Sequence, residues 1–329
     1  MNKCDVSDFK NKTILITGAN GLIGSTLAEY ICGINDKNNL NIKLILTSLS
    51  KIENLSKINH LVSKNYVEYI SHDFSYPFAK YNISNSLDYV FYCAGYGQPK
   101  KFNENFEETC FVNTVGLNSI LKQVKNTDCT VCYMSSSEIY GESGPSIKES
   151  NMGKYSVENN RSIYITSKRL GESIMLKYKD FVDIKIMRVS LAYGSGMKWT
   201  DDRVMQDFIR KSQKGIIDMY DEGTDVRYYN YIDNCIEMIL NATLNGKEYI
   251  YNIANNIEQT TIYELAKSVQ SIFNPTCKII RGGKKKSNSP DIVSMNIDRY
   301  TKEFGTPKFC TLSDGLKLMK ENFKKKGLL

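Results

Sequence analysis

Two groups of residues in this sequence have the types and spacing of reactive machinery. The first is Tyr164-Ile165-Thr166-Ser167-Lys168, a tyrosine and a lysine four positions apart. On a helix, positions i and i+4 share a face, so both side chains reach one ligand. A free phenol, with a pKa near ~10, is a poor base at neutral pH. A neighbouring ammonium favours the phenolate, which then takes a proton from an alcohol whose carbon gives up hydride. Ser136 ends an apolar run in Met134-Ser135-Ser136-Ser137-Glu138-Ile139-Tyr140-Gly141, where its hydroxyl can hold the same oxygen in line. Ser137 and Glu138 are further catalytic candidates, and Ser135 reads equally well as a cap on the strand end.

The second group is Thr17-Gly18-Ala19-Asn20-Gly21-Leu22-Ile23-Gly24. Gly18, Gly21 and Gly24 permit a tight turn and let backbone amides approach a pyrophosphate. A helix opening at Leu22 adds favourable partial charge for the anion. Gly18, Asn20, Gly21, Leu22, Ile23 and Gly24 are therefore the first candidates for holding a dinucleotide. An acid that binds the adenosine ribose is expected roughly 20 residues past such a loop. The sequence has Thr47, Ser48, Leu49, Ser50 and Lys51 instead. Hydroxyls and a lysine also suit a 2′-phosphate, so NAD is the expected cofactor and NADP stays open.

The elements around these groups alternate. Short apolar runs at 12–17, 41–47, 67–70, 87–93, 130–134 and 184–189 read as strands, and 22–31, 104–125 and 161–178 read as helices. That rhythm predicts βαβ units, hence an α/β fold with a Rossmann-type doubly wound parallel sheet. After residue 194 the rhythm changes. Helices are expected at 202–211 and 232–244, a third opens on the capping box Thr261-x-x-Glu264, and short strands lie near 249–253 and 276–280. The division expected is 1–193 for the dinucleotide and 194–329 for a smaller α/β lobe over the substrate, with interleaving segments.

Composition excludes several classes. At 329 residues with 41% hydrophobic and 24% charged residues, the chain is an ordinary globular protein. No apolar run approaches the roughly 20 residues of a membrane helix, and the polar start lacks a secretory h-region. The nine cysteines are scattered, with Cys93, Cys129, Cys132 and Cys235 in or beside apolar stretches, so reduced thiols, no metal and a cytoplasmic location are expected. The net charge of +7 gathers in Lys284-Lys285-Lys286 and Lys324-Lys325-Lys326, which lack interleaved aromatics. They read as solvated surface, and a nucleic-acid partner is not expected.

Taken together, the glycine spacing, Ser136 and the Tyr164–Lys168 pair resemble the extended short-chain dehydrogenase/reductases, the NAD-dependent epimerase/dehydratase family. The resemblance implies contacts to the cofactor from Asp73 and Phe74 after the third strand, Ala94 and Gly95 after the fourth, Asn113 on the following helix, and Tyr164 and Lys168. The stretch from Ser136 to Gly141 is similar to that of UDP-glucuronate decarboxylases and GDP-mannose 4,6-dehydratase, and Arg161 fits the decarboxylase Arg-x-x-Tyr pattern. Arg203 and Arg227 resemble the family's phosphate-facing arginines, a role suited to guanidinium forks. Ser136 and Arg161 complete the substrate set. The resemblance implies a homodimeric enzyme that oxidises a nucleotide sugar at C4 and then decarboxylates it. The alternatives are a 4,6-dehydratase, a 4-epimerase and, in another class, a non-catalytic dinucleotide sensor. Two places depart from the family: Leu191 stands where it has Asn, and the turn Gly95-Tyr96-Gly97-Gln98-Pro99 is unusual.

Overall fold

The computed structural model describes residues 6–77, 87–141, 144–283 and 292–329. The Lys284–Lys286 cluster lies outside them. Seven strands form one parallel sheet: β1 Thr13–Thr17, β2 Lys43–Ser48, β3 Val67–Ser71, β4 Tyr89–Tyr92, β5 Thr130–Ser136, β6 Asp183–Val189 and β7 Ile250–Ile253. Their order is β7-β6-β5-β4-β1-β2-β3. Successive strand residues face opposite sides, and both sides are apolar. Leu15, Ile45, Tyr92, Val131, Tyr133 and Ile184 join one core. Ile14, Ile16, Leu44, Leu46, Phe91, Cys132 and Met187 join the other. The order reverses between β1 and β4, which opens a crevice beyond their carboxyl ends.

The sequence reading differs from the structure at two elements. The strand expected near 249–253 in the smaller lobe instead extends the central sheet, pairing Ile250–Ile253 with Ile186–Val189. Its side chains are divided between the two cores, so its place is set by burial on both faces and not by its position after residue 194. The helix expected over 104–125 is broken into Pro99–Glu104, Phe106–Phe111, a π-turn at Val112–Gly116 and Leu117–Gln123. The Tyr92 hydroxyl donates to the Val112 carbonyl at 2.6 Å. A side chain entering the backbone ladder is a recognised cause of such turns.

The helix carrying the Tyr–Lys pair runs Ser162–Tyr178. In the later part of the chain, helices Val204–Gln213 and Ile262–Phe273 pack together. The expected capping box is present: Glu264 N donates to Thr261 Oγ1 at 3.1 Å and Thr261 N to Glu264 Oε2 at 2.8 Å. Strand Val226–Arg227 lies between Thr260–Thr261 and Ile292–Val293 in a small sheet, which sets Arg227 on the crevice. Lys324, Lys325 and Lys326 are exposed, and no helix among the described residues is long and apolar enough to cross a membrane.

Candidate active site

The crevice is a cleft of about 980 Å³ bounded by the glycine loop, the ends of β4 to β6 and the segments 197–211 and 218–229. Close approaches build the loop. Gly18 has φ 62°, and a methyl on it would lie 2.6 Å from the Cys93 carbonyl oxygen; one on Gly24 would lie 2.5 Å from the Gly18 oxygen. Only glycine fits at both. Ala19 N donates to Thr47 O at 2.8 Å and Ala94 N to Thr17 Oγ1 at 3.0 Å, which pins the turn to β2 and to the end of β4. Asn20, Gly21, Leu22, Ile23 and Gly24 line the cleft, at the start of the helix Leu22–Asn38. These bare backbones at a helix N-terminus fit a dinucleotide pyrophosphate.

At the end of β2 stand hydroxyls without a carboxylate. Ser48 Oγ and Tyr69 OH share a hydrogen bond of 2.6 Å, and Asn20 Nδ2 donates to Ser50 Oγ at 3.3 Å. Lys51 is exposed. Asp73 Oδ1 accepts from the Ser75 amide and hydroxyl, and Phe74 packs edge-on against Tyr92. Asn113 is wholly buried, donating to Thr109 O and to Ser167 Oγ.

Ser136, Ser137, Glu138, Arg161 and Tyr164 share the cleft wall. Ser136 Oγ accepts from Glu138 N at 3.2 Å and so caps the turn after β5. Its side chain also hydrogen-bonds the Tyr164 phenol. Tyr164 stacks on Phe102 with ring centroids 4.4 Å apart. Burial pushes its pKa up to about 12; the Ser136 hydrogen bond pulls it down, Glu138 adds to the rise, and Arg161 and Arg203 oppose it. Lys168, one turn beyond Tyr164 on the same helix, is buried. Its Nζ donates to the Met134 carbonyl at 2.7 Å and faces the Gly95 turn. The charged groups that act most on the phenol are Glu138, Arg161 and Arg203. Burial lowers Lys168 to about 7, against the influence of Cys93 and Glu172.

Glu138 and Arg161 form an ion pair. Arg203 is held by Asp201 through Nε and Nη2, each at 3.0 Å, and Asp201 also accepts from Gln98 Nε2 at 2.7 Å. The unusual turn at Gly95–Pro99 thus ties itself to the far wall. Arg227 pairs with Asp225 at 3.1 Å. Leu191, which replaces the family's Asn, also lines the cleft and has φ 38°, a left-handed conformation that Asn adopts more readily. Sequence reasoning missed Lys57, Gln98, Phe102, Lys198 and Tyr229, all of which line the cleft. Gln98 was visible only as a departure from a family pattern.

Residues 14–254 match the sequence profile of the NAD dependent epimerase/dehydratase family, well over half the chain. The chain belongs to that family. Among curated relatives, UDP-glucuronic acid decarboxylase 3 of Arabidopsis thaliana is 28% identical over 323 residues, covering 95% of this chain and 90% of that protein. UDP-glucuronic acid decarboxylase 1 of Danio rerio is 24% identical over 81% of this chain and 62% of its own. Two solved structures share the fold. UDP-glucuronic acid 4-epimerase from Bacillus cereus, in complex with UDP-glucuronic acid and NAD, has a TM-score of 0.79 at 21% identity, covering 95% and 99% of the two chains. dTDP-glucose 4,6-dehydratase from Bacillus anthracis, in complex with NAD, has a TM-score of 0.75 at 17% identity, covering 97% and 100%. Family membership makes the chain an NAD-dependent enzyme and bears out the expected fold class.

Proposed function

We propose that this enzyme oxidises a nucleotide-linked uronic acid at C4 and releases its C6 carboxylate as carbon dioxide. The observation that carries this reading is the grouping, in one cleft, of Ser136 hydrogen-bonded to Tyr164 beside the Glu138–Arg161 pair. The curated decarboxylases, matched over nearly the whole chain, support it. NAD, when bound, accepts the C4 hydride and later returns it. The protein residues do the rest. Tyr164 takes the C4 hydroxyl proton while Ser136 holds that oxygen. A 4-ketone turns the C6 carboxylate into a β-keto acid, whose C5–C6 bond breaks as carbon dioxide leaves and the electron pair passes into an enolate. Arg161 is placed to receive the C6 carboxylate, and Arg203 and Arg227 the diphosphate. Lys168, whose amine faces the Gly95 turn, would hold the cofactor there. Gly95 lines the cleft there; Asp73, Phe74, Ala94 and Asn113 do not line it and are assigned to the cofactor side by the family resemblance.

Incubation with UDP-glucuronate and NAD, read by mass spectrometry, tests the reaction. The expected product is a UDP-pentose formed with carbon dioxide. A new product of unchanged mass indicates epimerisation, and loss of water from UDP-glucose offered in parallel, which has the C6 hydroxyl that UDP-glucuronate lacks, indicates a 4,6-dehydratase; either result without carbon dioxide release from UDP-glucuronate overturns decarboxylation. Glu138→Gln keeps size and hydrogen bonding but removes the carboxylate beside Arg161. The first oxidation should persist, because Tyr164 and Ser136 perform it. Product should fall by ~10²-fold or more, the lower range for a positioned acid or base. Reduced cofactor should then accumulate, visible in its absorbance. Wild-type product rates would make Glu138 an ordinary loop residue and favour the epimerase.

The proposal extends to the assembly and the compartment. Phe106, Phe111 and Val115 are exposed on the segment that packs beside the Tyr–Lys helix, and Leu170 is exposed on that helix. Such an apolar face suits a second copy of the chain in a two-fold dimer. Light scattering should give twice the chain mass, and Phe111→Lys should halve it; a monomeric wild type removes the dimer. The described cysteines are free, which suits the cytoplasm.

A further inference from the structure

Lys57 lines the cleft where the segment after β2 meets the glycine loop. Its backbone N–H donates to Asn20 Oδ1 at 3.3 Å, so the loop itself fixes its position. The side chain is half-buried, and among the described residues its ammonium has neither a hydrogen bond nor an ion pair. The charged groups around it are mostly of its own sign: Lys198 and Arg203 from the opposite wall and Lys326 from the C-terminal helix. The one acid facing it, Asp201, is already taken by Arg203 and Gln98. Burial, then Lys198 and Lys326, lower its pKa to about 7. A half-buried cation that lacks a counter-ion is costly, and a ligand anion is the natural compensation.

We infer that Lys57, assisted by Lys198, forms an anion site that clamps a phosphate of the bound dinucleotide beside the glycine loop. This rests on the cofactor reading of the cleft. The site makes binding consume a proton. Above pH ~7 the free amine is neutral and must be protonated before it can pair with phosphate. Affinity is therefore full below that pH and falls, by up to tenfold per unit, as pH rises above it. Asp201, Lys198, Arg203 and Lys326 set the position of this window through their influence on Lys57.

ADP-ribose, 2′-phospho-ADP-ribose and adenosine, titrated by calorimetry from pH 6 to 9, test the site without reference to turnover. Lys57→Met should weaken ADP-ribose by ~10-fold or more, the value of a charge-assisted hydrogen bond, and leave adenosine unchanged. Lys57→Arg should restore affinity and flatten its pH dependence, because guanidinium does not titrate there. A merely structural lysine would not produce that flattening. A loss confined to 2′-phospho-ADP-ribose assigns the site to the ribose phosphate; a loss with both assigns it to the diphosphate. Equal binding of all phosphates by wild type and Lys57→Met overturns the inference. Failure of the wild type itself to bind ADP-ribose would instead remove the cofactor reading beneath it.

Discussion

Tyr164→Phe is expected to lower turnover at least ~10²-fold, the lower range for loss of a general acid–base group, while ADP-ribose binding stays unchanged. The substitution removes one oxygen and little else. Phe retains the stack on Phe102, and the residue is buried, so the fold should be kept. The pH dependence gives a second check. Burial pushes the phenol to about 12, and the base form is the active one. The rate of the first oxidation should therefore rise about tenfold per pH unit while the phenol remains mostly protonated. Arg161, Arg203 and the Ser136 hydrogen bond bring the phenolate within reach, and a positively charged nicotinamide adds to them when bound. A variant that turns over at near the wild-type rate would take Tyr164 out of the chemistry and leave the Ser136 contact as packing.

The chemistry was more legible in the sequence than its electrostatics. The glycine loop could be read because its demands are steric and local: Gly18 and Gly24 leave no room for a Cβ. Strands β1, β2, β4, β5 and β6 could be read because both of their faces are buried and apolar, whereas the edge strand β3 is only partly buried. β7 was not assigned to the central sheet, since Ile250–Ile253 looks like any short apolar strand and its partner β6 is distant in sequence. The π-turn at Val112–Gly116 depends on a hydroxyl from β4, which local propensity does not record. The same holds for the site. Type and spacing marked Tyr164, Lys168 and Ser136, yet the direction of the Lys168 amine toward Met134 is a matter of tertiary packing. Arg161, Arg203 and Arg227 were expected as free phosphate or substrate contacts, and each carries a carboxylate partner. Lys57 lies in a polar stretch whose pattern reads as loop.

Glu172→Ala is expected to cost about 3–5 kcal/mol of stability, the penalty for stranding one member of a buried ion pair. Glu172 sits one turn beyond Lys168 and is buried with Arg188 on β6. Arg188 Nε donates to its Oε1 at 3.0 Å and Nη2 to its Oε2 at 2.7 Å. Ser135, beside Ser136, also donates to this carboxylate. On its other side Arg188 donates to Tyr140 OH at 2.7 Å and to the Glu149 carbonyl at 2.8 Å. The chain continues from Tyr140 OH to Asn252 Oδ1 on β7 at 2.7 Å. One carboxylate thus anchors a network joining β5, β6 and β7 directly behind the reacting serine. Removing it leaves a buried guanidinium with two neutral acceptors and a serine hydroxyl without its partner. Denaturant titration should show a lower midpoint with an unchanged slope, because the native surface is kept. The double variant Glu172→Ala/Arg188→Met should recover part of the loss, since neither charge then remains unpaired. If the single variant unfolds at the wild-type midpoint, relaxation or water compensates Arg188, and the network does not hold Ser136 in place. If the double variant is as unstable as the single one, the loss comes from the cavity at residue 172 and not from the stranded charge.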